Sequence, residues 1–238
     1  MEILIVRHGE PDYENDTLTE KGKVEAKLLA EKLSKMKINA CYVSPLGRAR
    51  DTAQYTLDKI NQKAVELDWL HEFKGKVIPE GETRQSCWEL LPSVWADEKI
   101  YYTDNWYKTD LMQSDNVEEE YRKVIAEFEV LLEKHGYKRE GKHFKVLEGN
   151  HNRIVLFCHY AVGCVMTAYL LGISPMILWN NAVALTTSVT TFVTEEREKG
   201  IANFRMMAYG DTGHLYAGNE PASFMARYCE CYGDDTKH

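Results

Sequence analysis

The sequence Arg7-His8-Gly9-Glu10 follows a short β-rich run at residues 2–6, which puts an arginine, a histidine and a carboxylate where a strand gives way to a loop. Two other stretches repeat this pattern. His71 and Glu72 follow a strand expected over residues 65–70, and His159 follows the nearly continuous apolar run 153–158. Arg48 stands in the first turn of a helix expected over residues 46–60, after the stop signal Ser44-Pro45. Strand ends are where open α/β sheets bind ligands.

Groups of these types can handle a phosphoryl group. A phosphomonoester is a dianion, and a planar guanidinium meets two of its oxygens at once, a role that suits Arg7 and Arg48. An imidazole such as His8 attacks phosphorus through a neutral ring nitrogen, and a nearby acid must then protonate the departing alkoxide. Glu72 is the candidate acid, and Glu10 is the other nearby carboxylate. Each group taken alone has a blander reading: Arg7-His8 as a surface ion network, Arg48 as a helix-surface arginine, His159 as a buried histidine with a satisfied hydrogen bond. Arg50 fits the surface role better than Arg48.

The elements needed to position these groups can be read from periodicity. Thr19 caps a helix in which Ala26, Leu29, Ala30 and Leu33 share one face. Residues 40–43 read as a strand. Tyr121, Val124, Ile125, Phe128 and Leu132 form a helical stripe opened by Asp115 or Asn116 and closed by Gly136. A mostly apolar helix over residues 161–171 follows His159, and its N-terminus can help to bind an anion. Two late strands, 188–194 and 202–208, flank a charged turn from Glu195 to Gly200. The expected fold is α/β: a three-layer α/β/α sandwich with a central, mostly parallel sheet. It forms one domain over residues 1–238, with an aromatic-rich helical insertion over about 77–150 as a cap. That insertion holds Trp88, Trp95 and Trp106, three of the five tryptophans, more readily the core of the cap than a ligand box.

Composition narrows the partners. With 238 residues and 44% hydrophobic content the chain can bury a full core. A formal net charge of -8 argues against nucleic-acid and anionic-membrane surfaces. No apolar run is long enough to span a bilayer, and the four apolar residues near the start are too few for a signal peptide, so a cytoplasmic protein is expected. Six scattered cysteines read as free thiols, and Cys229-Glu230-Cys231 alone is a weak metal motif.

Taken together, Arg7-His8-Gly9-Glu10, then Ser44-Pro45-Leu46-Gly47-Arg48-Ala49-Arg50-Asp51-Thr52-Ala53, then a late strand ending in His159, resemble the histidine phosphatase superfamily in its phosphoglycerate-mutase-like branch. Leu18-Thr19-Glu20-Lys21-Gly22, Glu25-Ala26, Leu170-Leu171-Gly172 and Asp211-Thr212-Gly213-His214-Leu215 extend the resemblance. It implies that His8 is phosphorylated, that Arg7, Arg48 and His159 hold the phosphoryl oxygens, and that Glu72 is first acid and then base. It implies no cofactor and no metal, since arginine and histidine supply the charge. His214 and Asp211 are expected to be structural. The family usually has glycine after the second histidine, and here Tyr160-Ala161 follows instead.

The function expected is hydrolysis of a small phosphorylated metabolite. A phosphoglycerate mutase using the same phosphohistidine is the alternative, and a non-catalytic phosphate-binding module is a third reading. The mutase signatures after Arg-His-Gly-Glu and around the acid are replaced here by Pro11-Asp12-Tyr13-Glu14 and His71-Glu72-Phe73-Lys74-Gly75, which favours hydrolysis.

Overall fold

In β1 (Glu2–Arg7) Ile3 and Ile5 enter one hydrophobic cluster while Leu4 and Val6 enter another, as the two-residue period of a strand requires. The same split occurs in β6 (Arg153–Cys158), where Ile154 and Leu156 face one way and Val155 and Phe157 the other. These continuous apolar runs are therefore central strands covered on both faces. The computed structural model describes residues 1–225 and 230–237.

Among the described residues the main sheet has eight strands. Besides β1 and β6 they are β2 (Ala40–Val43), β3 (Ala64–Glu66), β4 (Tyr137–Glu140), β5 (His143–Val146), β7 (Val189–Glu198) and β8 (Ile201–Asp211). The spatial order is β3-β2-β6-β1-β7-β8-β5-β4. The first four strands are mutually parallel, and every later joint is antiparallel. The α/β/α layering is as expected, but the sheet is mixed rather than mostly parallel. Residues expected in the insertion supply β4 and β5, and the long β7–β8 hairpin joins them to β1.

Helices α1 (Glu20–Leu33) and α2 (Gly47–Ile60) cover one face through Leu29, Leu33, Ala53 and Leu57. The other face carries α3 (Val117–Lys134), α4 (Tyr160–Leu171) and α5 (Pro175–Asn181), whereas α6 (Gly213–Ala217) packs on α1. Helix α3, expected with the insertion, packs on α4. The irregular part of the insertion is a set of short turns between Pro92 and Ser114. Its Trp106 meets Tyr107, Tyr121 and Trp179 edge-on at 5.2–5.5 Å, so the aromatics form a core that ties this segment to α3 and α5.

Other local departures have simple causes. The third strand stops at Glu66, and Asp68–Leu70 forms a 3-10 turn. Trp69 and Leu70 are both buried, and a strand would have sent consecutive side chains to opposite faces. The charged run 195–200 is mostly strand, and the reversal falls at Lys199-Gly200, where Gly200 has φ +82°. Thr19 caps α1 by accepting the Gly22 N–H at 3.0 Å. Asn116 is the N-cap of α3 but turns its side chain elsewhere: its Oδ1 accepts the Lys76 N–H at 2.8 Å, fixing the segment after Glu72. No described helix is long and apolar enough to cross a membrane.

Candidate active site

The parallel half of the sheet explains why distant residues converge. Strands β2, β6 and β1 are neighbours, and their carboxyl ends deliver Ser44, His159, and Arg7 with His8 to one edge. Backbone bonds lock that edge together: His8 N–H donates to the Cys158 carbonyl at 3.0 Å and Ser44 N–H to the Phe157 carbonyl at 2.9 Å. The imidazoles of His8 and His159 lie 5.1 Å apart, centroid to centroid, at 57°. Arg7, His8 and His159 expose only 3%, 2% and 1% of their surfaces. Sequence-expected groups from three separate regions thus share one buried site.

Nδ1 of His8 lies 2.7 Å from the carbonyl oxygen of Gly9. A carbonyl can only accept, so Nδ1 carries the proton and Nε2 keeps the lone pair. Burial, with Arg7 and Arg48 nearby, holds the His8 pKa well below the ordinary 6.5. Burial and the surrounding His8, Arg48 and Arg7 lower His159 in the same way. Nε2 of His159 is 2.7 Å from the Ser44 hydroxyl, while its buried Nδ1 has no protein partner.

Both arginines are held by groups outside the motifs that announced them. Nη1 of Arg7 donates to the Ala184 carbonyl at 2.6 Å, and its guanidinium lies 5.2 Å from the ring centroid of Tyr160. Nη1 of Arg48 donates to Oδ1 of Asp16 at 2.6 Å, with the Tyr13 ring 5.5 Å from the guanidinium carbon. Asp16 Oδ2 also accepts the Gly47 N–H at 2.7 Å. The N-cap of α2 is Leu46, which has no acceptor, so Asp16 caps the helix from a neighbouring loop. A Cβ at Gly47 would lie 2.0 Å from the Asp16 carbonyl oxygen, which accounts for the glycine.

Glu72 and Glu10 part company here. Oε1 of Glu72 accepts three backbone N–H bonds, from Phe73 at 2.8 Å, Ala161 at 2.9 Å and Val162 at 3.1 Å. Its Oε2 makes no hydrogen bond among the described residues. Burial raises the Glu72 pKa, against the lowering effect of those N–H groups and of Arg7 and Arg48. Both oxygens of Glu10 are engaged, by the hydroxyls of Thr19 and Ser223. The group at the N-terminus of α4 is therefore the Glu72 carboxyl, at the place where an anion had been expected. The start of the helix orients that carboxyl group.

Several supporting residues lie outside the sequence-based set. Glu25 is fully buried in α1; it accepts the Glu10 N–H at 2.9 Å and the Thr186 hydroxyl at 3.0 Å, joining the loop after His8 to the loop before β7. The Thr52 hydroxyl accepts the Gly9 N–H at 2.8 Å and donates to the Arg48 carbonyl at 2.7 Å. Thr187 has φ +55°, costly for a β-branched residue, and its N–H donates to the His8 carbonyl at 3.1 Å. His214 meets the Thr187 hydroxyl at 3.0 Å and Asp211 pairs with Lys32, as the structural expectation for both has it. Arg50 is exposed and faces Glu66 at 3.7 Å. Glu25 and Thr52 lay in matched segments, but only contacts across the fold give them a task.

Among the described residues no three His, Cys, Asp or Glu side chains gather as metal ligands. Cys41, Cys87, Cys158 and Cys164 are buried free thiols. Of the Cys229-x-Cys231 pair, Cys229 lies outside the described residues and the side chain of Cys231 is not described.

Among solved structures, the chain is similar to phosphoserine phosphatase of Entamoeba histolytica in complex with 3-phosphoglyceric acid. The TM-score is 0.59 at 19% identity, covering 90% of this chain and 98% of that one. A mycobacterial glucosyl-3-phosphoglycerate phosphatase gives 0.55 at 18% identity over 88% and 98% of the two chains. At such identities the likeness is one of fold. Among curated sequences, phosphoserine phosphatase 1 of Hydrogenobacter thermophilus is 23% identical over 144 residues, 57% of this chain and 66% of that protein. The 2,3-bisphosphoglycerate-dependent phosphoglycerate mutase of Thermoplasma acidophilum is 38% identical over 72 residues, 26% of this chain and 36% of that protein. The chain thus matches less than two thirds of either curated relative. Residues 3–206 match the histidine phosphatase superfamily (branch 1), and with His8, Arg7, Arg48 and His159 gathered at one sheet edge, the chain belongs to that family.

Proposed function

We propose that the protein hydrolyses small phosphomonoesters through a phosphohistidine on His8. The observation that carries this reading is the buried, neutral His8, with its Nε2 lone pair unspent beside Arg7, Arg48 and His159. The two guanidiniums and His159 take the phosphoryl oxygens. In this proposal the Ser44 hydroxyl, which receives the Leu46 N–H at 3.3 Å, donates its own proton to His159 Nε2, and the ring proton lies on the unpartnered Nδ1. That N–H is then a donor to the phosphoryl group.

Nε2 of His8 attacks phosphorus, the P–O ester bond breaks, and the Glu72 carboxyl protonates the departing alkoxide. Its proton sits on Oε2, because Oε1 is saturated by three N–H donors. The resulting carboxylate then takes a proton from water. The water oxygen attacks phosphorus, the P–N bond breaks, and inorganic phosphate leaves. Alignment and charge provide most of the rate, and the sheet edge holds the groups in place before substrate arrives.

The substrate belongs to the same proposal. Phosphoserine and glucosyl-3-phosphoglycerate name the activities of similar proteins, so both head a panel of phosphorylated metabolites, with p-nitrophenyl phosphate as the generic ester. Phosphate release from one or more of these is the expected result, and no release from any would sink the reading. The 38% identical segment supports a second reading, a mutase; bisphosphate-primed interconversion of 2- and 3-phosphoglycerate without net phosphate release would favour it. A cytoplasmic setting is also part of the proposal and is supported by the four buried free thiols.

Two expected results test the supports. Asp16→Ala removes both the cap of α2 and the tether of Arg48, which should cost about 1–2 kcal/mol of stability and raise KM about tenfold. Thermal unfolding and steady-state kinetics measure the two effects. The second result concerns pH. His8 and His159 have folded pKa values below 6.5 and His214 about 4, so below pH 6.5 the unfolded chain binds protons that the folded chain refuses. Stability contributed by these groups is complete above pH 6.5 and is lost as pH falls through 6 and 5. Each histidine adds a slope of up to about 1.4 kcal/mol per pH unit, partly offset near pH 5 by the raised pKa of Glu72. A melting temperature that does not fall between pH 7.5 and 5 would contradict this.

A further inference from the structure

Tyr160 occupies the position after His159, and it is 3% exposed. Its ring lies against the Arg7 guanidinium at 5.2 Å, and Trp88 meets the ring edge-on at 6.2 Å from the other part of the fold. Its hydroxyl lies within hydrogen-bond distance of three carbonyls at the end of α5: Leu178 at 3.3 Å, Trp179 at 3.0 Å and Ala182 at 2.8 Å. Two residues further on, the Ala184 carbonyl accepts from Arg7. One side chain thus supplies the surface on which the guanidinium rests and also anchors the backbone that holds its Nη1.

Arg7 and Tyr160 border a small chamber of about 10 Å³, room for one water, lined also by Cys164, Thr167, Ser188 and Tyr209. The Ser188 hydroxyl inside that region has no protein partner. Arg7 thus borders a small void, and the Tyr160 ring and the Ala184 carbonyl are two of the contacts that orient its guanidinium. We propose that Tyr160 is a positioning residue for phosphate binding, setting the Arg7 guanidinium through its ring and through the 178–184 backbone. This rests on the reading of Arg7 as a phosphoryl ligand. A flat, electron-rich face opposite a cation fixes its plane, and a guanidinium must be coplanar with two phosphate oxygens to bind both.

The test is calorimetric titration with inorganic phosphate, together with kcat and KM for p-nitrophenyl phosphate. It is applied to wild type, Tyr160→Phe, Tyr160→Leu, Arg7→Ala and the Arg7→Ala/Tyr160→Leu double variant. Tyr160→Leu should weaken phosphate binding about tenfold and raise KM more than it lowers kcat. Tyr160→Phe keeps the ring and loses the anchor, and should weaken binding about threefold. In the Arg7→Ala background the leucine change should cost nothing further, since its effect passes through the arginine. The proposal is overturned if a folded Tyr160→Leu binds phosphate as wild type does, or if its loss is the same with Arg7 absent. Should the leucine variant not fold, the phenylalanine variant decides: wild-type affinity overturns the proposal, and a threefold loss supports it. A wild type that binds phosphate but hydrolyses no ester sinks the hydrolase reading alone, because the coupling is still read by titration. A wild type that binds no phosphate overturns both.

Discussion

His8→Ala should lower the rate of p-nitrophenyl phosphate hydrolysis by at least about a thousandfold, because in the proposed mechanism it removes the atom that forms the covalent intermediate. The accompanying result is chemical. Wild type quenched during turnover of a radiolabelled ester should retain a phosphoryl group that is stable in base and labile in acid, as a phosphorus–nitrogen bond is, and His8→Ala should retain none. The structure makes the experiment clean, since among the described residues the His8 side chain bonds only to its neighbour's carbonyl and the sheet edge is held by backbone bonds at Arg7 and His8. A melting temperature close to wild type confirms that the variant is folded. Turnover that survives the change, or label that persists on it, would remove His8 from the mechanism.

Glu72→Gln should lower kcat for alkyl phosphates by about a hundredfold to ten-thousandfold while leaving KM nearly unchanged. Glutamine keeps an oxygen to accept the N–H groups of Phe73, Ala161 and Val162, so the loop and the start of α4 stay in place. What it loses is the proton on Oε2. An aryl phosphate leaves as a stable phenolate and needs that proton less, so its first step should survive better than the second, in which Glu72 activates water. The variant should therefore release p-nitrophenol in a burst close to one equivalent per site and then stall. Equal losses on alkyl and aryl esters, with no burst, would show that Glu72 is not the acid.

The two carboxylates also mark where the sequence could be read and where it could not. Glu10 and Glu72 are both glutamates at strand or turn ends, and their types and positions left the choice open. Contacts distant in sequence set them apart: Thr19 and Ser223 occupy both oxygens of Glu10, while α4 takes one oxygen of Glu72 and leaves the other. Asp16 was silent for the same reason. It lies in a short polar loop, and its work appears only when Gly47 and Arg48, about thirty residues away in sequence, are brought beside it. Thr187 gave no signal at all, because a positive φ on a threonine is imposed by the surrounding fold. The second half of the 77–150 stretch gave no strand signal, since Tyr137–Glu140 and His143–Val146 are short, half-polar strands that only the edge of an existing sheet stabilises.

By itself the sequence determined the chemistry available to this protein: the histidine after an N-terminal strand, the two arginines, the second histidine after a strand apolar on both faces, and the helices and central strands that period and capping require. These are local consequences of side-chain type and spacing. Only the tertiary structure decided which nitrogen of His8 is free, which carboxylate keeps an unspent oxygen, and what holds each arginine still. Protonation, tautomer and orientation depend on burial and on partners brought together by the parallel strands β2, β6 and β1, and a linear spacing carries no information about either.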